Sequence, residues 1–212
     1  MKLIFSDAFM LAVEKPSGLL SVPGKGADKQ DCMLSRMQAV YPDALLVHRL
    51  DMDTSGLMLF ARSLEAQRAL SMQFEKRAIE KVYIAWVEGC LVLDEGEIDL
   101  PLRKDMEQAL PPRHMVDLEQ GKPAQTRWRV RDRLETQTRV ELVPLTGRSH
   151  QLRVHMQSLG HPIVGDPIYG TPDERLMLHA QRLSLDHPMH GDRIELESIS
   201  PFCRMGLWRI QI

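Results

Sequence analysis

Between residues 45 and 60 the chain turns from apolar to polar and back. Leu45-Leu46-Val47 gives way to His48-Arg49-Leu50-Asp51-Met52-Asp53-Thr54-Ser55-Gly56, and Leu57-Met58-Leu59-Phe60 is again purely apolar. Two apolar runs joined through a Thr-Ser-Gly turn read as strand, corner, strand, so any fold must hold Asp51 at a corner between two strands. Loops fixed by rigid flanking elements are where reacting groups tend to sit, which makes Asp51, beside the charge of Arg49, a candidate nucleophile. Asp, Thr, Ser and Gly are also ordinary turn residues, and capping the turn is the alternative.

The remainder alternates short strand-like runs with turn signals. Leu3–Phe5 and Phe9–Val13 flank Ser6-Asp7-Ala8 and stop at Lys15-Pro16-Ser17-Gly18, through which a strand cannot easily continue; a loop follows to Gly26. Asp31 is expected to cap a helix to Val40, with Leu34, Met37 and Tyr41 on one face and Pro42 stopping it. Ser63 caps a second helix to about Arg77, with Ala66, Leu70 and Phe74 at i, i+4 spacing. Glu80 to Val87 alternates, which places Lys81, Tyr83, Ala85 and Val87 on one side of a strand. From Gly89 to Gln120 the periodicity is weak, with a strand near Glu97–Asp99 and then a long exposed excursion over 103–120.

Thr126–Arg131 reads as a strand with Arg127, Arg129 and Arg131 on one face. That row suits either a phosphate-facing surface or the wet side of a sheet. After a strand over Thr138–Leu145, Ser149 is expected to cap a helix to Leu159, with Leu152, Met156 and Leu159 as its buried stripe and Gly160 ending it. Arg148 then stands at a strand-to-helix junction, where a guanidinium can reach into a cleft and hold a carboxylate by two hydrogen bonds. Strands near Gln181–Leu185 and Arg193–Ile199 close the chain.

Composition excludes several classes. With 43% hydrophobic and 26% charged residues in 212, this is an ordinary globular chain with room for one large domain or two small ones. No apolar run approaches the roughly 20 residues that span a bilayer, and Met1 to Asp7 is too short and too soon acidic for a signal peptide, so a cytoplasmic protein is expected. Cys32, Cys90 and Cys203 are odd in number and widely spaced, as reduced thiols would be. His150, His155, His161 and His179 lie close in sequence without a His-Glu-x-x-His or Cys-His grouping, so no metal site is expected. The formal charge of -2 argues mildly against nucleic acid, yet residues 121–182 hold ten Lys or Arg against six Asp or Glu, enough for a local basic face.

Together these stretches are similar to the motifs of the RluA family of pseudouridine synthases. His48-Arg49-Leu50-Asp51 with Thr54-Ser55-Gly56 resembles its catalytic motif, and Lys15-Pro16-Ser17-Gly18 its first short motif, where Asn is common at the position of Glu14. Lys81-Val82-Tyr83 resembles the second motif, and Thr146-Gly147-Arg148-Ser149-His150-Gln151-Leu152-Arg153-Val154-His155 the third. Lys122–Thr126, His161–Asp166 and Arg175–Ala180 continue a likeness that runs from about Leu3 to Phe202.

The resemblance implies an α+β fold with a central, mixed and mostly antiparallel sheet, flanked by helices and loops around a cleft. It implies a single catalytic domain over 1–212, without the N-terminal S4-like RNA-binding domain of longer relatives. The activity implied is isomerisation of uridine in structured RNA: the N1–C1′ bond breaks, the uracil turns, C5 joins C1′, and the C5 proton leaves. No redox change occurs, so neither nicotinamide, flavin nor metal is called for. Asp51 becomes the essential group, Tyr83 lies against the base with a hydroxyl able to help take the C5 proton, and Arg148 pairs with Asp51. Arg49 fills the space left by the flipped uridine, and Leu178 packs in the site. The expected partner is RNA alone, 23S rRNA or a tRNA anticodon stem-loop, met by a monomer. A non-catalytic RNA-loop binding protein is the alternative, although a pure binder has no physical need of a buried Asp–Arg pair beside an open pocket.

Overall fold

The computed structural model describes residues 2–107 and 111–202. Cys203 therefore lies outside the described residues, while Cys32 and Cys90 are free thiols. The elements follow the order β1 (Lys2–Ser6), β2 (Met10–Lys15), α1 (Met33–Val40), β3 (Leu45–Leu46), β4 (Ser55–Ala61), α2 (Leu64–Glu75), β5 (Glu80–Glu88) and β6 (Glu95–Asp99). Then come β7 (Leu102–Lys104), β8 (His114–Val116), β9 (Gln125–Arg133), β10 (Gln137–Pro144), α3 (Gln151–Ser158), β11 (Leu178–Asp186) and β12 (Arg193–Glu197).

Ten strands form one sheet in the order β1-β2-β4-β11-β5-β10-β9-β6, with β12 paired to β11 and β3 to β4. The β4–β11 pair is parallel and the other pairings are antiparallel, so the sheet is mixed and mostly antiparallel. With the three α-helices of the described residues packed around it, the fold is α+β.

The apolar run at 57–60 becomes a central strand enclosed on both faces. Leu57, Leu59 and Ala61 pack against Ala66 and Leu70 of α2, while Met58 and Phe60 pack against Met33 and Met37 of α1. A strand covered on both sides needs no polar alternation. Gly56 has φ 115°, and a Cβ there would collide with the backbone of Ala180, so the parallel pairing of β4 with β11 requires glycine. On the far half of the sheet, Ala85, Val87, Val140, Leu142 and Leu178 form a third core region beneath Leu152 and Met156 of α3.

Local differences from the sequence reading have local causes. Cys32, not Asp31, caps α1: its sulfur accepts from the Ser35 amide while the Ser35 hydroxyl accepts from the Cys32 amide, and Asp31 instead pairs with Arg36. Ser63 caps α2 as expected. Ser149 does not cap α3, which begins after His150 in a left-handed conformation (φ 55°); residues 151–156 are all buried, and Leu159, at the C-cap, is exposed. The excursion over 103–120 is not featureless, since β7 and β8 pair within it.

The arginine row on β9 is a paired sheet face. Arg127 meets Glu97, Arg129 meets Glu95, Arg131 meets Glu141 and Arg133 meets Asp94. Glu95 and Glu97 lie on the outermost strand, where charge also discourages edge-to-edge pairing with another chain.

Candidate active site

The corner carrying Asp51 is an eight-residue loop, 47–54, between β3 and β4, and its backbone is fixed on both sides of that residue. Ser21 Oγ donates to the Leu50 carbonyl at 2.6 Å and accepts from the Leu50 amide at 3.0 Å. The Met52 carbonyl receives the Gly18 amide at 3.0 Å and the Lys15 ammonium at 2.8 Å, and the Asp53 carbonyl receives the Ser17 hydroxyl at 2.6 Å. Lys15 is fully buried and also donates to the carbonyls of Pro16 and Leu19. Burial lowers its pKa to about 8, with Asp53 and Asp51 acting against that shift. The Lys-Pro-Ser-Gly stretch is therefore the clamp that sets the backbone of the Asp51 loop. His48 completes the corner: its Nε2 accepts the Leu59 amide at 2.9 Å and its ring stacks on Phe74. Burial, with a contribution from Lys81, lowers its pKa to about 3 and keeps the ring neutral.

The cation facing Asp51 is Arg153, not Arg148. Arg153 Nη1 lies 3.9 Å from Asp51 Oδ2, while Nε and Nη2 each bond to the fully buried Asp166 at 2.7 Å. Asp166 is held in turn by the amides of Ile168 and Tyr169, and the Tyr169 ring lies 5.1 Å from the Arg153 guanidinium. Burial acts against the charge of Arg153, but the Asp166 bonds outweigh it and the guanidinium pKa is raised. Arg148 precedes α3 and lines the same cleft, but its Nε donates to the Pro123 carbonyl at 3.1 Å. The sequence offered Arg153 in the same motif, between Leu152 and Val154, but only the structure shows that residues 151–156 are all buried, where a charge requires a partner.

Asp51, Tyr83, Arg49, Arg148 and Leu178 all line one cleft of about 600 Å³. Tyr83 lies on β5 opposite Ala180 of β11 and Leu142 of β10, so it shares a sheet face with the buried Leu178. Burial, reinforced by Asp51, raises the Tyr83 pKa, and the side chain remains a neutral phenol. A neutral phenol offers a ring face and a hydrogen-bond donor, and it is a poor acceptor for a carbon-bound proton. Asp53 does not line the cleft, and burial pushes its carboxyl upward.

Further lining residues were not singled out from the sequence. Thr146 and Gln151 bond to each other at 2.7 Å, and Gln151 ties α3 to β9 through the Gln125 carbonyl and the Thr126 hydroxyl. The β7–β8 hairpin brings Pro112 and His114 to the cleft, where the Tyr169 hydroxyl joins the His114 amide at 2.7 Å to His150 Nδ1 at 2.8 Å. Burial raises the Tyr169 pKa to about 12, so the phenol stays protonated. Four cations, Arg49, Lys81, Arg148 and Arg153, line the cleft against one carboxylate, Asp51. In a chain of formal charge -2, positive potential is thus concentrated where a polyanion would enter. Among the described residues no group of side chains is arranged to hold a metal ion, and no helix is long and apolar enough to cross a membrane.

Known proteins show the same arrangement of sequence and fold. Residues 10–158 match the family model described as RNA pseudouridylate synthase. A Vibrio parahaemolyticus protein named dual-specificity RNA pseudouridine synthase RluA is 52% identical over 88% of this chain and 78% of its own length. Proteins of that name from Yersinia pestis and Escherichia coli K12 are 46% and 44% identical, over 95% and 94% of this chain and 100% and 93% of theirs. Among solved structures, human RNA pseudouridylate synthase domain containing 1 superposes with a TM-score of 0.81 at 27% identity, covering 96% of this chain and 84% of the other. A basic cleft built around a loop-fixed aspartate, in a chain so matched, places this protein in the RNA pseudouridylate synthase family, as an isomerase that converts uridine to pseudouridine in RNA.

Proposed function

We propose that Asp51 is the carboxylate that reacts with the uridine, that Tyr83 lies against the uracil, and that Arg153 holds Asp51 in place. The observation that carries this reading is the chain Asp51–Arg153–Asp166, in which a buried, doubly bonded guanidinium presents one remaining nitrogen to a carboxylate open to the cleft. Asp51 has 31% of its side-chain surface exposed and its backbone neighbours pinned, so it meets substrate without reorganising.

The uridine must leave its stack to reach this carboxylate, at a cost of a few kcal/mol. Arg49, exposed at the mouth beside Asp51, takes the vacated place in the RNA, and Leu178 forms an apolar wall beside the flipped base. With Tyr83 a neutral phenol, its part is to stack under the loosened uracil and orient it. Relatives named dual-specificity enzymes support two classes of RNA substrate, which we take to be 23S rRNA and the anticodon stem-loop of tRNA. The enzyme acts as a monomer in the cytoplasm and requires no cofactor.

Tritium release from [5-³H]uridine-labelled 23S rRNA and total tRNA tests the reading. Wild type releases tritium from both and Asp51→Asn from neither, while both proteins still bind RNA. Release by Asp51→Asn at the wild-type rate would remove Asp51 from the chemistry, and RNA binding with no release by wild type would favour an RNA-loop binding protein.

A further inference from the structure

Among the described residues Lys81, like Arg49 and Arg148, has no carboxylate partner in the cleft; unlike Arg148 it makes no hydrogen bond, and unlike Arg49 it has no part in the chemistry above. Lys81 stands on β5 two residues before Tyr83, on the same side of the strand, and lines the cleft near His48 and Phe74. The residue is half-buried, yet among the described residues its ammonium meets no hydrogen-bond acceptor and no carboxylate within ion-pair distance. Burial, then the like charge of Arg77, lowers its pKa. Cations elsewhere that hold the fold are paired, as Arg36 is with Asp31, Arg62 with Asp43 and Arg131 with Glu141.

A partly desolvated ammonium without a partner is unfavourable, and the free energy is recovered when an anion arrives. RNA brings such an anion at every nucleotide, and an ammonium on a flexible stem binds a phosphate as a point charge. Two residues of strand separate Lys81 from Tyr83 by about 6.6 Å. That is the scale of the reach from a nucleobase to the phosphodiester of its own nucleotide.

We propose that Lys81 forms a phosphate subsite, binding the phosphodiester that adjoins the uridine whose base lies against Tyr83. The proposal rests on that placement of the base. RNA itself then supplies the counter-ion that the protein lacks, and the subsite fixes the flipped nucleotide at its backbone while Tyr83 and Leu178 hold the base.

The test measures binding of a fluorescein-labelled RNA stem-loop containing the target uridine, as a function of KCl concentration, to wild type, Lys81→Gln and Lys81→Arg. Loss of one phosphate contact in a single-stranded loop reduces the slope of log K against log[KCl] by about 0.7. Lys81→Gln should show that reduction with a Kd about tenfold weaker, and Lys81→Arg should restore both. A methylphosphonate at one of the two phosphates flanking the target uridine should weaken wild type and leave Lys81→Gln unaffected. An unchanged salt slope in Lys81→Gln, or losses from the substitution that are additive with the methylphosphonate at both flanking positions, would overturn the subsite. Tritium release by wild type from the same RNA, run in parallel, separates that outcome from a failure of the uridine chemistry, and matching thermal unfolding of the variants excludes a folding defect.

Discussion

Arg153 approaches Asp51 to 3.9 Å with one guanidinium nitrogen while the other two are engaged by the buried Asp166. The guanidinium has no freedom to turn, so the position of its free nitrogen, and of the carboxylate facing it, is inherited from Asp166. Electrostatic support arranged in advance of the reaction needs no reorganisation as charge develops.

Arg153→Lys should lower kcat for pseudouridine formation by about 10²-fold or more, since a displacement of about 1 Å at a reacting group has that effect. Loss of the two-pronged bond to Asp166 should also reduce stability by up to about 3–5 kcal/mol, read as a lower urea midpoint. Among the described residues the Arg148 guanidinium bonds only to a backbone carbonyl, so Arg148→Lys should keep kcat within about threefold, as expected of a partly exposed polar contact. The opposite ranking would return Arg148 to the side of Asp51.

Lys15→Met removes the donor to three carbonyls, including that of Met52 beside Asp51. Each buried acceptor left alone costs about 1–3 kcal/mol, which the loop can avoid by moving. Single-turnover kinetics should therefore show the chemical step slowed by about 10–100-fold, in line with displacement of a reacting group, while RNA affinity changes little. A loss confined to affinity would show that the clamp serves RNA contact instead.

Acid should destabilise the protein through two neutral histidines, the half-buried His48 and the buried His179. Burial lowers the pKa of His48 to about 3; for His179, burial acts first and Arg175 and Lys2 add to it, giving about 4, against the usual 6.5. The unfolded chain binds more protons than the folded one between these values and 6.5, so stability is complete above about pH 6.5 and falls as pH drops toward 4. Urea unfolding at pH 7.5 and 5 should show this loss, and His179→Gln should reduce it. His179 bonds to Ser55 and Ser198 across the β4–β11 seam, so the loss should begin beside the cleft. A flat profile would count against both neutral assignments.

The paired arginines of β9 should matter little to RNA. An Arg127→Gln, Arg129→Gln double variant removes two exposed bridges worth about 0–1 kcal/mol each, and RNA affinity and its salt slope should stay within about twofold of wild type. A marked drop in salt slope would show that RNA strips these arginines from Glu97 and Glu95.

Sequence alone carried the strands, because alternation, turn residues and apolar runs are local properties. The β1–β2 hairpin, β4, β5, β9 and β10 lie where their patterns put them, and Ser63 caps α2 in both readings. Motif strings also gathered Asp51, Tyr83, Arg49, Arg148 and Leu178, which share one cleft. Sequence neighbours made Asp31 and Ser149 the plausible caps, and the resemblance made Arg148 the partner of Asp51; tertiary structure decided otherwise. The β7–β8 hairpin and the large sheet bury α3, and among the described residues the carboxylates that face Arg153 are Asp166 and Asp51. The same long-range closure pairs the β9 arginines with acids on or beside other strands and, among the described residues, leaves Lys81 without one. Local pattern sets which elements form, because it acts through hydrogen bonds and contacts a few residues apart. The partner of each buried charge is set by which distant elements the closed sheet brings together.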